Sequence, residues 1–175
     1  MKKSIIIIII LFSGYVIIRA QSAGATLGGG SISGDSPSIS SYSASLFLES
    51  PIFYNSLSMR LSFIYAADYN QLLPNSTTKY NPFVKGLSLT GLTTQGFTGS
   101  YYLNEGIGLL ILNDRIFSNT DNIDYGFVIS IGAGIDLRKE RPTGFRVGAG
   151  TDFGFTFTRT YAKYFSLHLT GQYFL

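Results

Sequence analysis

Residues 125–137 read Tyr-Gly-Phe-Val-Ile-Ser-Ile-Gly-Ala-Gly-Ile-Asp-Leu, and residues 145–157 read Phe-Arg-Val-Gly-Ala-Gly-Thr-Asp-Phe-Gly-Phe-Thr-Phe. In the first stretch Tyr125, Phe127, Ile129, Ile131, Ala133, Ile135 and Leu137 share one parity, against Gly126, Val128, Ser130, Gly132, Gly134 and Asp136. In the second, Phe145, Val147, Ala149, Phe153, Phe155 and Phe157 oppose Arg146, Gly148, Gly150, Asp152, Gly154 and Thr156. A period of two sustained over about ten residues, bulky and apolar on one side, small and polar on the other, is the pattern of a membrane-crossing β-strand.

The same reading extends outward from this hairpin. Residues 57–69 alternate Leu57, Met59, Leu61, Phe63, Tyr65 and Ala67 against Ser58, Arg60, Ser62, Ile64, Ala66 and Asp68. Segments 39–49, 83–93 and 164–175 follow the rule, 23–33 is Gly-rich and weak, and 97–112 is the longest and least regular. Turn or loop composition separates them at Gly34-Asp35-Ser36-Pro37, 50–56, 70–82, Thr94-Gln95-Gly96, 113–124, 138–144 and 159–163. Eight strands is the smallest number that closes a membrane barrel. An even count puts both chain ends on one side, and the two longest connections, 70–82 and 113–124, then share the opposite side. The fold expected is all-β, a closed eight-stranded antiparallel up-and-down transmembrane barrel.

Residues 1–22 read differently. Lys2 and Lys3 precede an apolar run from Ile5 to Phe12, and Ala20 or Ala23-Gly24-Ala25 offers small residues for cleavage. This is the build of a secretory signal peptide, with a retained anchor as the alternative. The barrel domain is then 23–175. Lys2, Lys3 and Arg19 carry the whole net charge of +3, so the remainder is formally neutral and offers no basic patch for nucleic acid. The chain has no cysteine, so disulfides and thiolate metal sites are excluded. No cofactor is implied.

In the last segment Phe165, Leu167, Leu169, Tyr173 and Leu175 alternate to the end of the sequence. With the strand count and loop lengths, this resembles the small eight-stranded outer-membrane β-barrels of the OmpA and OmpX type, over residues 23–175. The resemblance implies a monomer of the outer membrane of a Gram-negative-type bacterium. Its partners would be lipopolysaccharide and phospholipid, with the outer-membrane assembly machinery engaged through the last strand. Because the sequence ends at its last strand, no peptidoglycan-binding domain like that of the larger OmpA-type proteins is expected to follow.

A soluble lipocalin-like carrier would show the same alternation with its apolar face turned inward. Three features favour apolar-out. The polar face is Ser, Thr and Gly rather than the Lys and Glu of a solvated exterior. Phe153, Phe155, Phe157, Leu61 and Phe63 would overfill so narrow a barrel. Tyr and Phe gather near strand ends, as interfacial girdles do. The lumen is then polar, carrying Glu49, Arg60, Asp136, Arg146 and Asp152 with Ser166 and His168. Hairpin register sets Asp136 opposite Arg146 and Glu49 opposite Arg60, because charges in a narrow lumen must be paired. Glu105 shares the outward parity, so either it lies near the interface, where a carboxylate costs little, or a bulge at Asn104-Gly106 turns it inward, the reading Gly106 favours.

The function expected is non-enzymatic, structural or surface recognition through loops 70–82 and 113–124, with no porin channel. A lipid A deacylase on the same barrel is the alternative. That family carries its His just before a Ser-Asn pair, whereas Ser166-Leu167-His168 has the reverse order and no Asn follows.

Overall fold

The computed structural model describes residues 21–34, 37–53, 56–72, 81–97, 99–116, 122–138 and 141–175. Eight antiparallel strands follow one another around a closed barrel: β1 Ser22–Ser33, β2 Ile39–Phe53, β3 Leu57–Asp68, β4 Phe83–Gly96, β5 Tyr101–Asp114, β6 Asn122–Asp136, β7 Gly144–Thr156 and β8 Lys163–Phe174. One 3-10 turn, Tyr69–Leu72, caps β3. β1 pairs with β8, from Ser22 opposite Phe174 to Ser33 opposite Lys163, so no strand edge is left open. The expected signal segment lies almost wholly outside the described residues, as do parts of both long loops.

The alternation sorts faces as the barrel requires. Leu169 is 71% exposed, Leu27 69% and Ile107 64%, while Ser62, Ser88, Thr90 and Thr156 are buried inside. A lipocalin-like arrangement is therefore not the one adopted. Aromatic rings line the outer surface near both rims. At the end carrying the longer loops (the loop end), Tyr65 packs 6.0 Å from Tyr42 and 6.3 Å from Phe83. At the opposite, turn end, Phe145 packs 4.8 Å from Tyr173. Among the described residues no helix is long and apolar enough to cross a membrane.

Several boundaries move. The break expected at Thr94-Gln95-Gly96 is strand, with Thr94 opposite Asn104 and Gly96 opposite Tyr102. The hydroxyl of Thr94 donates to Asn104 Oδ1 on the neighbouring strand at 2.9 Å, which favours continued pairing over a turn. β2 likewise runs through Pro51, with its register shifting between Pro51 and Phe53. The turn between β6 and β7 closes at Gly144, whose φ of 138° favours a residue without Cβ.

The expected bulge at Asn104-Gly106 is absent. The ladders from β5 to β4 and β6 are unbroken, with Glu105 opposite Thr93 and Ile131. Glu105 is consequently exposed on the outward face, close to the turn end, where a carboxylate is far less costly than at mid-height. Replacing it with leucine removes an outward charge and leaves the ladder intact. Glu105→Leu is expected to keep or raise the urea midpoint of the barrel in lipid bilayers. A lowered midpoint would mean that the carboxylate has a stabilising partner.

The interior is not uniformly polar, and this corrects the expected polar lumen. Its loop-end half is an apolar plug of Ile32, Ile64, Ala66, Val84, Leu110, Leu112, Val128 and Tyr164, joined by Ile116 and Ala162 from the connections. All of the strand members have inward parity. The polar and charged residues occupy the middle and the turn end.

Asp124 is fully buried beside this plug and fastens the β7–β8 connection. It accepts from Thr158 Oγ1 at 2.6 Å, Arg159 N at 2.8 Å, Thr160 N at 2.9 Å and also the Thr160 hydroxyl. The connection contains Tyr161 at φ 49°, a left-handed conformation that costs a side-chain-bearing residue free energy. Hydrogen bonds to a buried carboxylate contribute ~1.5–3 kcal/mol each, enough to hold that conformation. Asp124→Ala is expected to cost about 2–4 kcal/mol and to speed amide exchange at Arg159 and Thr160 selectively. Uniform exchange across β7 and β8 would contradict this anchoring role.

Candidate functional site

Two clusters at the turn end hold most of the lumen charge. Glu49 on β2 lies directly opposite Arg60 on β3, with Nη2 to Oε2 at 2.7 Å and Nε to Oε2 at 3.1 Å. The hydroxyl of Ser58 donates to Glu49 Oε1 at 2.7 Å. From β8, Gln172 Nε2 reaches Glu49 Oε2 at 3.1 Å and Ser22 Oγ at 2.8 Å. The Arg60 guanidinium stacks 4.1 Å from the ring centre of Phe47, whose inward parity makes it a packing surface for that charge.

The second cluster centres on Asp136, opposite Arg146 in the β6–β7 register. Arg146 Nη2 lies 3.0 Å from Asp136 Oδ2, and Arg138 Nη2 lies 2.6 Å from the same oxygen. Arg138 further donates its Nε to Oδ1 at 2.9 Å and its backbone N–H to Oδ1 at 3.1 Å. The Arg146 guanidinium sits 4.4 Å from the Tyr102 ring centre, and Tyr102 finds its space because Gly134 and Gly148 face it without Cβ atoms. Arg138, Ser58, Gln172 and Tyr102 were not among the residues singled out in the sequence. Parity carried the signal for Arg138, since it lies two residues from Asp136 and so faces the same way.

Asp152 does not join either arginine cluster in an ion pair. It accepts from Ser130 Oγ at 2.6 Å at mid-lumen, and its Oδ2 is 3.7 Å from His168 Nδ1, beyond hydrogen-bond range. Ser166 Oγ is 3.4 Å from that same Nδ1 and 2.7 Å from Ser43 Oγ. Serine, histidine and aspartate therefore meet, in an arrangement unlike a hydrolytic triad. A triad sets the acid on one ring nitrogen and the nucleophile on the other, whereas both neighbours here approach Nδ1. The adjoining cavity is about 20 Å³, room for a water molecule and no substrate. Among the described residues no group of three His, Cys, Asp or Glu side chains could hold a metal ion.

Taken together, the closed ladder, outward apolar band, ringed rims and side-chain-filled interior define the class of small eight-stranded outer-membrane-type barrels. No protein-family model matches the sequence, and no curated protein matches it. Solved structures do match in fold. Neisserial surface protein A superposes with a TM-score of 0.66 at 12% identity, covering 88% of this chain and 96% of that one. Ail, the attachment invasion locus protein of Yersinia pestis, superposes with a TM-score of 0.56 at 12% identity, covering 88% of this chain and 98% of that one. A second Ail structure, in complex with the heparin analogue sucrose octasulfate, matches with a TM-score of 0.55 at 14% identity, covering 87% of this chain and 97% of that one.

Proposed function

We propose that this chain is a monomeric integral protein of a Gram-negative-type outer membrane that catalyses no reaction. In this reading it acts structurally or by surface recognition through the loops at 70–82 and 113–124. The observation that carries the reading is the pairing of a lipid-compatible exterior with an interior closed by its own side chains. Leu27, Ile107 and Leu169 face outward while Leu112, Val128 and Tyr164 fill the loop-end lumen. Such a barrel passes no solute of useful size, which leaves the surfaces outside the membrane as the working parts.

With the turn end towards the periplasm, the loop end faces outside. Lys85 and Lys163 then carry charge on the outer surface at the level of the loop-end aromatic residues, with Lys85 Nζ 5.2 Å from the Phe83 ring centre. That placement suits the phosphates of lipopolysaccharide. The inward Ser166, His168 and Asp152 give no support to a deacylase. Membrane fractionation and heat-modifiable gel migration test the location. Unchanged lipid A mass spectra with and without expression are expected, and a lost acyl chain would replace the reading with an enzymatic one.

A further inference from the structure

Beyond the loop-end role, the turn end carries a recess of about 590 Å³ that opens to solvent. It is lined by Thr94, Gly96, Ser100 and Tyr102 together with Asp136, Arg138, Arg141 and Arg146. Among the described residues, three guanidinium groups thus border one cavity with a single carboxylate in its lining. Oδ2 of that carboxylate is shared, at 2.6 Å from Arg138 and 3.0 Å from Arg146. One negative charge offsets only one of the three.

Aromatic rings hold the surplus in place. The Arg138 guanidinium lies 3.7 Å from the Phe174 ring centre, and Arg146 lies 4.8 Å from the same ring and 4.4 Å from Tyr102. Two cations against one ring repel each other, and the shared Asp136 carboxylate offsets that repulsion only in part. Arg146 is nearly buried, with 8% of its side chain exposed, so the positive field is focused into the recess rather than dispersed in solvent. A guanidinium fork matches an oxyanion in geometry as well as charge.

We infer that this recess is a binding site for a small water-soluble dianion, a dicarboxylate or a phosphate monoester, admitted from the turn-end solvent. Two surplus positive charges match two negative ones, and the volume falls within the range of small-molecule sites. Arg141 stands exposed at the rim as the entry contact, while Arg138 and Arg146 form the floor.

The test uses the full chain refolded in a zwitterionic detergent at low salt. Succinate, glutarate, inorganic phosphate and glycerol phosphate are titrated by calorimetry, with acetate as the monoanionic control. Saturable binding of at least one dianion, at least ~10-fold tighter than acetate and weakened as salt rises, is expected. The organic and phosphate arms identify which oxyanion is preferred. Arg141→Gln, at an exposed position outside the Asp136 cluster, is expected to weaken binding ~10-fold without altering the fold. Asp136→Asn is expected to tighten binding, because it removes the resident competitor for the two guanidiniums. A merely structural arginine cluster gives the opposite pattern, with no saturable binding up to ~10 mM or equal affinity in Arg141→Gln and wild type. Either result overturns the site while leaving the outer-membrane reading untouched.

Discussion

Glu49→Gln is expected to lower the stability of the barrel by about 3–5 kcal/mol, read as a large fall in the urea midpoint of unfolding. The reason is what remains behind. Glu49 is buried and receives Arg60 through two nitrogens, Ser58 through its hydroxyl and Gln172 through its amide. The substitution keeps the shape and removes the only acid in direct contact with Arg60 among the described residues, whose side chain is 14% exposed. An uncompensated guanidinium in a narrow lumen is far more costly than a missing pair. Ser58 donates to Oε1 and Gln172 to Oε2, so the one oxygen glutamine keeps can satisfy only one of them.

The double variant Glu49→Gln with Arg60→Met separates these contributions. Removing both charges leaves an apolar stem that packs on Phe47, which already faces the Arg60 guanidinium at 4.1 Å. The pair variant is therefore expected to recover most of the loss, since buried ion pairs are often replaceable by well-packed apolar residues. A double variant as unstable as the single one would show that the damage comes from the hydrogen bond that Ser58 or Gln172 loses. An unchanged midpoint in Glu49→Gln would remove the ion pair from the account of stability altogether.

These two positions also mark what a one-dimensional reading can reach. In the β2–β3 and β6–β7 hairpins, alternation assigns Glu49, Arg60, Asp136 and Arg146 to one face, and the turns set the register that brings each pair together. Parity is a local property, and so it survives without knowledge of the rest of the chain. Strand ends do not, because Thr94 continues as strand only through Asn104 on the neighbouring strand. The apolar plug was hidden for a related reason. Residues 107–112 read Ile-Gly-Leu-Leu-Ile-Leu, apolar on both parities. Leu110 and Leu112 point inward and Ile107 and Leu109 outward, so a strand with two greasy faces looks merely irregular. Asp152 and His168 sit opposite Ser166 and Gly150 on adjacent strands, a proximity set by the β7–β8 register.

The plug supplies the second large expected effect, at Tyr164 and Gly154. The two lie directly opposite each other on β8 and β7. Tyr164 is 1% exposed, and its ring occupies the space that a side chain at 154 would need. A Cβ placed on Gly154 would come within 2.1 Å of Tyr164 Cε1 and 2.9 Å of Leu110 Cδ2. A buried ring cannot swing aside as the tip of a flexible chain could, so Gly154→Ala must displace the plug or the strand. Tyr164→Ala is expected to cost about 3–5 kcal/mol, the range for emptying a buried aromatic site. Gly154→Ala is expected to cost at least ~1–3 kcal/mol through overpacking. Tyr164→Phe should behave differently. The Tyr164 hydroxyl is buried with no hydrogen-bond partner among the described residues, so deleting it sheds a desolvation penalty and keeps the ring. The phenylalanine variant is accordingly expected to match or exceed the native urea midpoint. Combining Gly154→Ala with Tyr164→Leu should recover part of the loss of Gly154→Ala, because the smaller side chain vacates the space the new methyl group needs. Fully additive losses in that double variant would place the two residues out of contact.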